Sequence, residues 1–433
     1  TPSVSVAADK FTDATGNDNS VSNTYTWTYD GTVPTMAITT STVSSGASTA
    51  TAAIALTFTS SEATSNFIAN DITVSGCSLG SLSATSTSVY TATCTATSDG
   101  TPSVSVAADK FTDAVGNDNT VSNTYTWTYD STVPTMTITS STVSSGATTN
   151  TAAIALTFTS SESTTDFVAN DITASGCSLG SLSGSGATYT ATCTATSDGT
   201  PSISVAANKF SDGVGNANSA ASNTYTWTYD STAVTMTISS SAVSSGASTN
   251  TAGIALTFTA SEATSDFASS DITVSGCSLG STFAATSTTV YTATCTASSD
   301  GTPSVSVASG AFTDAGSNDN TVSNTYTWTY DGTAPTVAIT SSQSAPATGS
   351  TFAVTITFSE STSNFVNSDI TVGGGSSSLS GSGATYTATI TPSADGTVTV
   401  DVAAGVATDA VGNSNTAATQ YSIESDQANA PSI

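Results

Sequence analysis

The chain has 433 residues, with 31 acidic side chains against three basic ones and no His, so its formal net charge is −28. That inventory argues against nucleic acid as a partner, since almost nothing can neutralise phosphate, and it removes the usual general base of triad chemistry. At roughly 100–150 residues per domain the length allows three or four domains. A hydrophobic content of 37% suits small sandwiches that bury alternate residues better than one large core.

The run TPSVSVAADKFTDA opens at Thr1 and returns at Thr101. Looser copies begin at Thr200 and Thr302, and a weaker one at Thr397. Self-similarity at a fixed period marks an array of one copied module. The three basic residues, Lys10, Lys110 and Lys209, fall at one repeat position. The turn at Asp30 recurs at Asp130, Asp230 and Asp331. Taking it as the boundary predicts modules at 31–130, 131–230, 231–330 and 331–425. Residues 1–29 then read as the last strands of a preceding module, and 426–433 as a linker and the start of a following one. The first 29 residues cannot bury a core alone. They need the rest of a module, from preceding sequence or from a neighbouring molecule.

Within 31–130 the elements follow in order. Met36 to Thr39 comes after the Pro turn. Ile54, Leu56 and Phe58 alternate with Ala55 and Thr57. Phe67 and Ile68 lead into Ile72 and Val74, and Gly76 and Gly80 mark turns. Tyr90, Ala92 and Cys94 alternate with Thr. Asp99 and Gly100 turn the chain into Val104 and Val106. A polar loop from Lys110 to Asn123 precedes Tyr125, Trp127 and Tyr129, which are expected on one strand face. Period-2 alternation with frequent turns predicts an all-β fold, a tandem array of Ig-like Greek-key β-sandwich domains forming an elongated rod. No stretch shows a useful helical period, and none approaches the ~20 apolar residues of a membrane-spanning helix.

Six Cys fall in three equivalent pairs, Cys77/Cys94, Cys177/Cys193 and Cys277/Cys295. One disulfide per module is expected, in an oxidising compartment, each contributing about 3 kcal/mol in the chain-entropy model. Two Cys per module without His do not make a zinc site. In the last module the positions become Gly375 and Ile390, so the bond reinforces the fold and does not define it.

The runs DITVSG (71–76), TYTAT (385–389) and TDAVGN (408–413), with the boundary DGTAPT (331–336), resemble the bacterial Ig-like repeats of giant extracellular adhesins and surface proteins. The resemblance covers essentially the whole chain. The Cys pairs and the aromatic TYTWTY strand depart from it. It implies an extracellular or cell-surface protein and Ca²⁺ at module junctions.

The residues also admit Ca²⁺ on their own chemistry. In an Ig topology the linker and two loops share the N-terminal pole, which would gather Asp30, Glu62, Asp113 and Asn117, with Asp118 and Asn119 beside them. The sets repeat as Asp130, Glu162, Asp212 and Asn216; Asp230, Glu262, Asp314 and Asn318; and Asp331, Glu360, Asp409 and Asn413. Asp99 belongs to the opposite pole, facing the next linker. Oxygen ligands drawn from several loops suit Ca²⁺, which takes about 6–8 oxygens. The alternative is that Asp, Asn and Gly are simply good turn residues. An acidic surface without bases needs cations in either case.

No catalytic residues are expected. The sequence predicts a structural repeat region acting as a calcium-stiffened stalk or filament. One alternative is a self-assembling fibre whose modules pack on neighbours or on copies of itself. Another is a set of carbohydrate-binding modules using Tyr125, Trp127 and Tyr129 as a platform, although a last strand packing its inner face on the core is the favoured explanation of that trio. Cell-surface or glycan targets would be reached through regions outside this segment.

Overall fold

The computed structural model describes residues 1–264 and 266–427. The expected start of a further module at 428–433 lies outside the described residues. The chain divides into two compact units, 1–147 with 152–227, and 148–151 with 228 onward. Among the described residues there is no α-helix, only four 3₁₀ turns, the first at Ala69–Asp71.

In the first unit, residues 31–130 form two facing sheets. One has the order Met36–Thr39, Ala53–Ser60, Val89–Ala96, Cys77–Leu79. The other has the order Tyr125–Thr126, Ser103–Val106, Ile72–Ser75. All these neighbours are antiparallel, with Phe58 opposite Tyr90 and Val104 opposite Tyr125. The alternation read from the sequence is the burial pattern: Ile54, Leu56 and Phe58 are buried while Ala53, Ala55 and Thr59 face solvent. Between the sheets lie Ile54, Leu56, Phe58, Val104, Val106, Phe111 and Trp127. Fully burying one such side chain contributes roughly 1.5–3 kcal/mol. Residues 131–147 with 152–227 repeat this arrangement in the first unit and 231–330 in the second, whereas in 331–425 both sheets have three strands, with Gly375–Pro392 forming one strand.

Two features differ from expectation. Tyr125 to Tyr129 is not one continuous strand. Tyr125–Thr126 pairs with Ser103–Val106, whereas Thr128–Tyr129 pairs in parallel with Ser48–Thr49. The chain changes partners at Trp127, whose side chain is fully buried. Tyr125 is buried too, so the platform that a sugar would stack on is inside the core. The third strand also begins later than the apolar run does. Phe67 packs edge-on against Tyr90 and Phe111, and the Ala69–Asp71 turn intervenes before Ile72.

The Tyr125 hydroxyl donates to the Val43 carbonyl, and Tyr225 and Tyr326 repeat the bond to Val143 and Val243. Tyr125→Phe is expected to destabilise its module by about 1 kcal/mol in chemical denaturation, the usual net worth of such a bond. A change near zero would mean that water replaces it.

Three disulfides are present, joining Cys77 to Cys94, Cys177 to Cys193 and Cys277 to Cys295. Each links adjacent strands of one sheet: Cys77 opens Cys77–Leu79, and Leu79 lies opposite Cys94 on Val89–Ala96. In 331–425 the Cys94 position is taken by Ile390, which is fully buried in its core.

Candidate metal centre

The loop Asp113–Asn117 closes on its own first residue. Asp113 Oδ1 accepts the backbone N–H of Val115 at 2.9 Å, Gly116 at 2.7 Å and Asn117 at 2.9 Å. Gly116 takes φ +99°, a left-handed conformation that costs glycine little. The loop at Asp314 has a different order, Asp-Ala-Gly-Ser-Asn, and there Ser317 holds the positive φ.

This closure sets the Asp113 carboxylate beside two other acids. Ligand oxygens of Asp30, Glu62 and Asp113 lie within 4.8 Å of one another. The same spacing holds for Asp130, Glu162 and Asp212; for Asp230, Glu262 and Asp314; and for Asp331, Glu360 and Asp409. Asp113 is buried, Glu62 half-buried and Asp30 exposed.

Asn117 has a different place from the acids. Its Nδ2 donates to Asp113 Oδ2 at 2.8 Å and to the Asp30 carbonyl at 3.1 Å. Asn216, Asn318 and Asn413 do the same for Asp212, Asp314 and Asp409. In this geometry each amide braces the loop to the linker and offers the acids a donor. Asn119 lies apart from the acids. Its Oδ1 accepts from Lys110 and Phe111, and its Nδ2 donates to Ala107 and Thr120, so it holds the loop base. Asp118 is exposed and bridges to Thr112.

The charges respond to this crowding. Burial, then the charges of Asp30 and Asp113, push the Glu62 carboxyl above its ordinary range. Burial and the neighbouring acids do the same to Glu162 and Glu360. Burial also pushes Asp113 up, but the hydrogen bonds from Asn117, Val115 and Gly116 outweigh it and hold Asp113 below the ordinary value. Asp212 and Asp409 behave alike. The clusters at Asp113, Asp212 and Asp409 thus each hold one acid stabilised as the anion and one disfavoured as the anion.

A fourth carboxylate, Asp99, which the sequence reading set facing the next linker without counting it among the ligands, approaches the second cluster. Asp99 accepts from the Ser131 hydroxyl at 2.6 Å, the Ser131 N–H at 2.8 Å and the Thr132 hydroxyl at 2.7 Å. Its charge is among those raising Glu162. Asp300 repeats this with Gly332 and Thr333, and its charge reaches Glu360. The signal was the recurrence of an Asp-Gly turn, at Asp99, Asp198 and Asp300, at a nearly constant distance before the next linker Asp. The Ser131 and Thr132 hydroxyls, then the Ser131 N–H, hold Asp99 below the ordinary aspartate range. Ser131→Ala with Thr132→Val is expected to return Asp99 toward that range in an NMR titration. An unchanged value would remove the hydroxyls as the cause.

The donor set fits a hard divalent cation. It contains only oxygen, and its excess negative charge has only three Lys in the whole chain to balance it. These groups could hold a metal ion, although exposed acids are common without one.

The family model for the bacterial Ig-like domain matches residues 30–129, 130–229, 230–330 and 331–425. The chain belongs to the bacterial Ig-like domain family. No curated protein matches it at a significant level. Among solved structures, the bacterial Ig-like array is similar to the Escherichia coli adhesin FdeC, at 14% identity over 69% of this chain and 98% of that one, TM-score 0.33. Invasin, a bacterial integrin-binding protein, matches at 14% identity over 91% and 80%, TM-score 0.36. Yersinia pseudotuberculosis InvD matches at 15% over 91% and 98%, TM-score 0.26.

Proposed function

We propose that these bacterial Ig-like domains, at 31–130, 131–230, 231–330 and 331–425, form a structural, non-catalytic stretch of a long extracellular surface protein. Their junctions bind Ca²⁺, and the stretch acts as a stalk or filament. The observation that carries this reading is the fourfold recurrence of a three-carboxylate group containing the linker Asp. Catalytic groups are seldom copied once per repeat, whereas a structural joint must be. Ca²⁺ would be held by the linker Asp, the loop Glu and the buried Asp of each set, with water completing its shell. It supplies the positive charge that the sequence lacks, and it ties the linker to two loops of the following domain.

Small-angle scattering of the full chain tests this. With Ca²⁺ the profile is expected to be that of a stiff, extended particle, and with chelator that of a jointed chain. Superimposable profiles would reject calcium stiffening.

A further inference from the structure

Residues 148–151 belong in sequence to the domain at 131–230, yet they fall in the second compact unit, together with Asp230, Glu262 and Asp314. Two successive residues there reach two segments that carry acids. The Thr149 carbonyl accepts the Asp230 N–H at 3.1 Å. The Asn150 N–H donates to the Gly316 carbonyl at 2.8 Å, and its Nδ2 to the Ser317 carbonyl at 2.7 Å. Gly316 and Ser317 lie in the loop that closes on Asp314, whose Oδ1 accepts the Gly316 N–H at 2.7 Å and the Asn318 N–H at 2.9 Å.

The first contact recurs along the chain. Thr49 accepts from Asp130 at 3.2 Å and Thr249 from Asp331 at 3.1 Å. The second contact does not recur. Ala50 stands one repeat before Asn150 and has no amide to donate. Asn250 stands one repeat after it. Its Nδ2 lies 3.5 Å from where a Cβ on Gly412 would be, without a hydrogen bond to the Asp409 loop.

The Asp314 loop is shaped for the contact. Gly316 replaces Val115, Val214 and Val411 of the other loops. A Cβ at Gly316 would lie 3.1 Å from Asn318 Nδ2 and 3.2 Å from Asp230 Cβ, too close without a shift of the linker. Ser317 takes φ +71°, a conformation that is strained for a non-glycine residue and persists where its surroundings hold it. The two bonds from Asn150 supply that hold. Asn318 is buried, whereas Asn117, Asn216 and Asn413 are half-buried.

The geometry points to Asn150 as a positioning residue for the acidic group of Asp230, Glu262 and Asp314. It braces the Asp314 loop from outside the domain that carries Glu262 and Asp314. A cation then meets an ordered loop and loses less affinity to ordering it. The bracing stands on hydrogen bonds alone, and the gain in affinity rests on the Ca²⁺ reading above.

Hydrogen–deuterium exchange of the full chain tests both parts, read by mass spectrometry over residues 312–320, with 210–218 as the control loop. Asn150 is exposed, so Asn150→Ala leaves the cores intact. In chelator the variant is expected to exchange the Gly316 and Asn318 amides about fivefold faster, the effect of one hydrogen bond on local opening. The control loop should not change. Equal exchange of those two amides in variant and wild type would overturn the proposal. In a Ca²⁺ titration the variant's 312–320 loop should need about fivefold more ion for half-protection, with the control loop again unmoved. An unchanged midpoint would overturn the gain in affinity. Loops that ignore Ca²⁺ in both proteins would reject the Ca²⁺ reading, while the comparison in chelator would still decide the bracing.

Discussion

Glu162→Gln is expected to change the chain's stability in opposite directions with and without Ca²⁺. Without the ion, Glu162 is an anion held against burial and against Asp130 and Asp212. Its folded-state pKa is raised, so the folded state binds the proton more tightly than the unfolded state does. The associated stability is present below the ordinary glutamate pKa and is lost as pH rises through the raised value. At neutral pH the full cost is felt, and the neutral amide removes it. Chelated E162Q should therefore melt above chelated wild type. With Ca²⁺ the order reverses. An ion at about 100 times its Kd stabilises by about 2.7 kcal/mol, which moves a domain of this size by about 10–20 °C. Losing one ligand charge should weaken affinity roughly tenfold or more, so the variant gains much less from the ion. Asp212 responds the other way to pH, since its lowered value gives stability above the ordinary aspartate pKa that is lost as pH falls through the folded value. The check is calorimetry of both proteins, with Ca²⁺ and with chelator, at pH 7. A variant that melts with wild type under both conditions would remove Glu162 from any metal site.

Reducing the disulfides should divide the modules into two classes. The bridges close segments 17, 16 and 18 residues apart in sequence. Loops of that size are worth about 3 kcal/mol in the chain-entropy model. Denaturation in strong reductant should weaken 31–130, 131–230 and 231–330 by that amount each, or about 10–20 °C in melting temperature. The domain at 331–425 should not move, because Gly375 and Ile390 replace the pair. A uniform shift across all four domains, or none, would contradict a local role for the bonds. Cys94→Ser alone is expected to be worse than reduction, since it places a hydroxyl at a fully buried site.

The sheets were legible because their signal is local. Alternation at Ile54, Leu56 and Phe58 reports one buried face directly. The matched Cys pairs were legible from repetition alone. The break at Trp127 was not, because TYTWTY keeps period 2 throughout, and only the positions of Ser103–Val106 and Ser48–Thr49 divide it. The turn at Ala69–Asp71 was hidden by the apolar Phe67 and Ile68 ahead of it. There the Asp71 carboxylate holds the Ile68 N–H at 2.8 Å, a short-range bond with no periodicity. At the candidate metal centre the sequence shows which residue types recur, but not which end of the Asn117 amide faces the acids. It places Asp99 facing the next linker, but not the Ser131 and Thr132 hydroxyls that hold its carboxylate there.

The parallel pair of Thr128–Tyr129 with Ser48–Thr49 has a mechanical consequence. It ties the last strand of the first domain to a segment near its beginning. When the ends of that domain are pulled apart, these strands slide past each other, so their bonds are loaded together in shear and are not unzipped singly. The ring closed by Cys77 and Cys94 lies between them in sequence, outside that load path. Once the shear pair yields, the 17-residue separation inside the ring stays shut, withholding about 60 Å of extension at ~3.5 Å per residue. Reductant should lengthen each rupture step of the three bridged domains by that amount and leave the fourth unchanged.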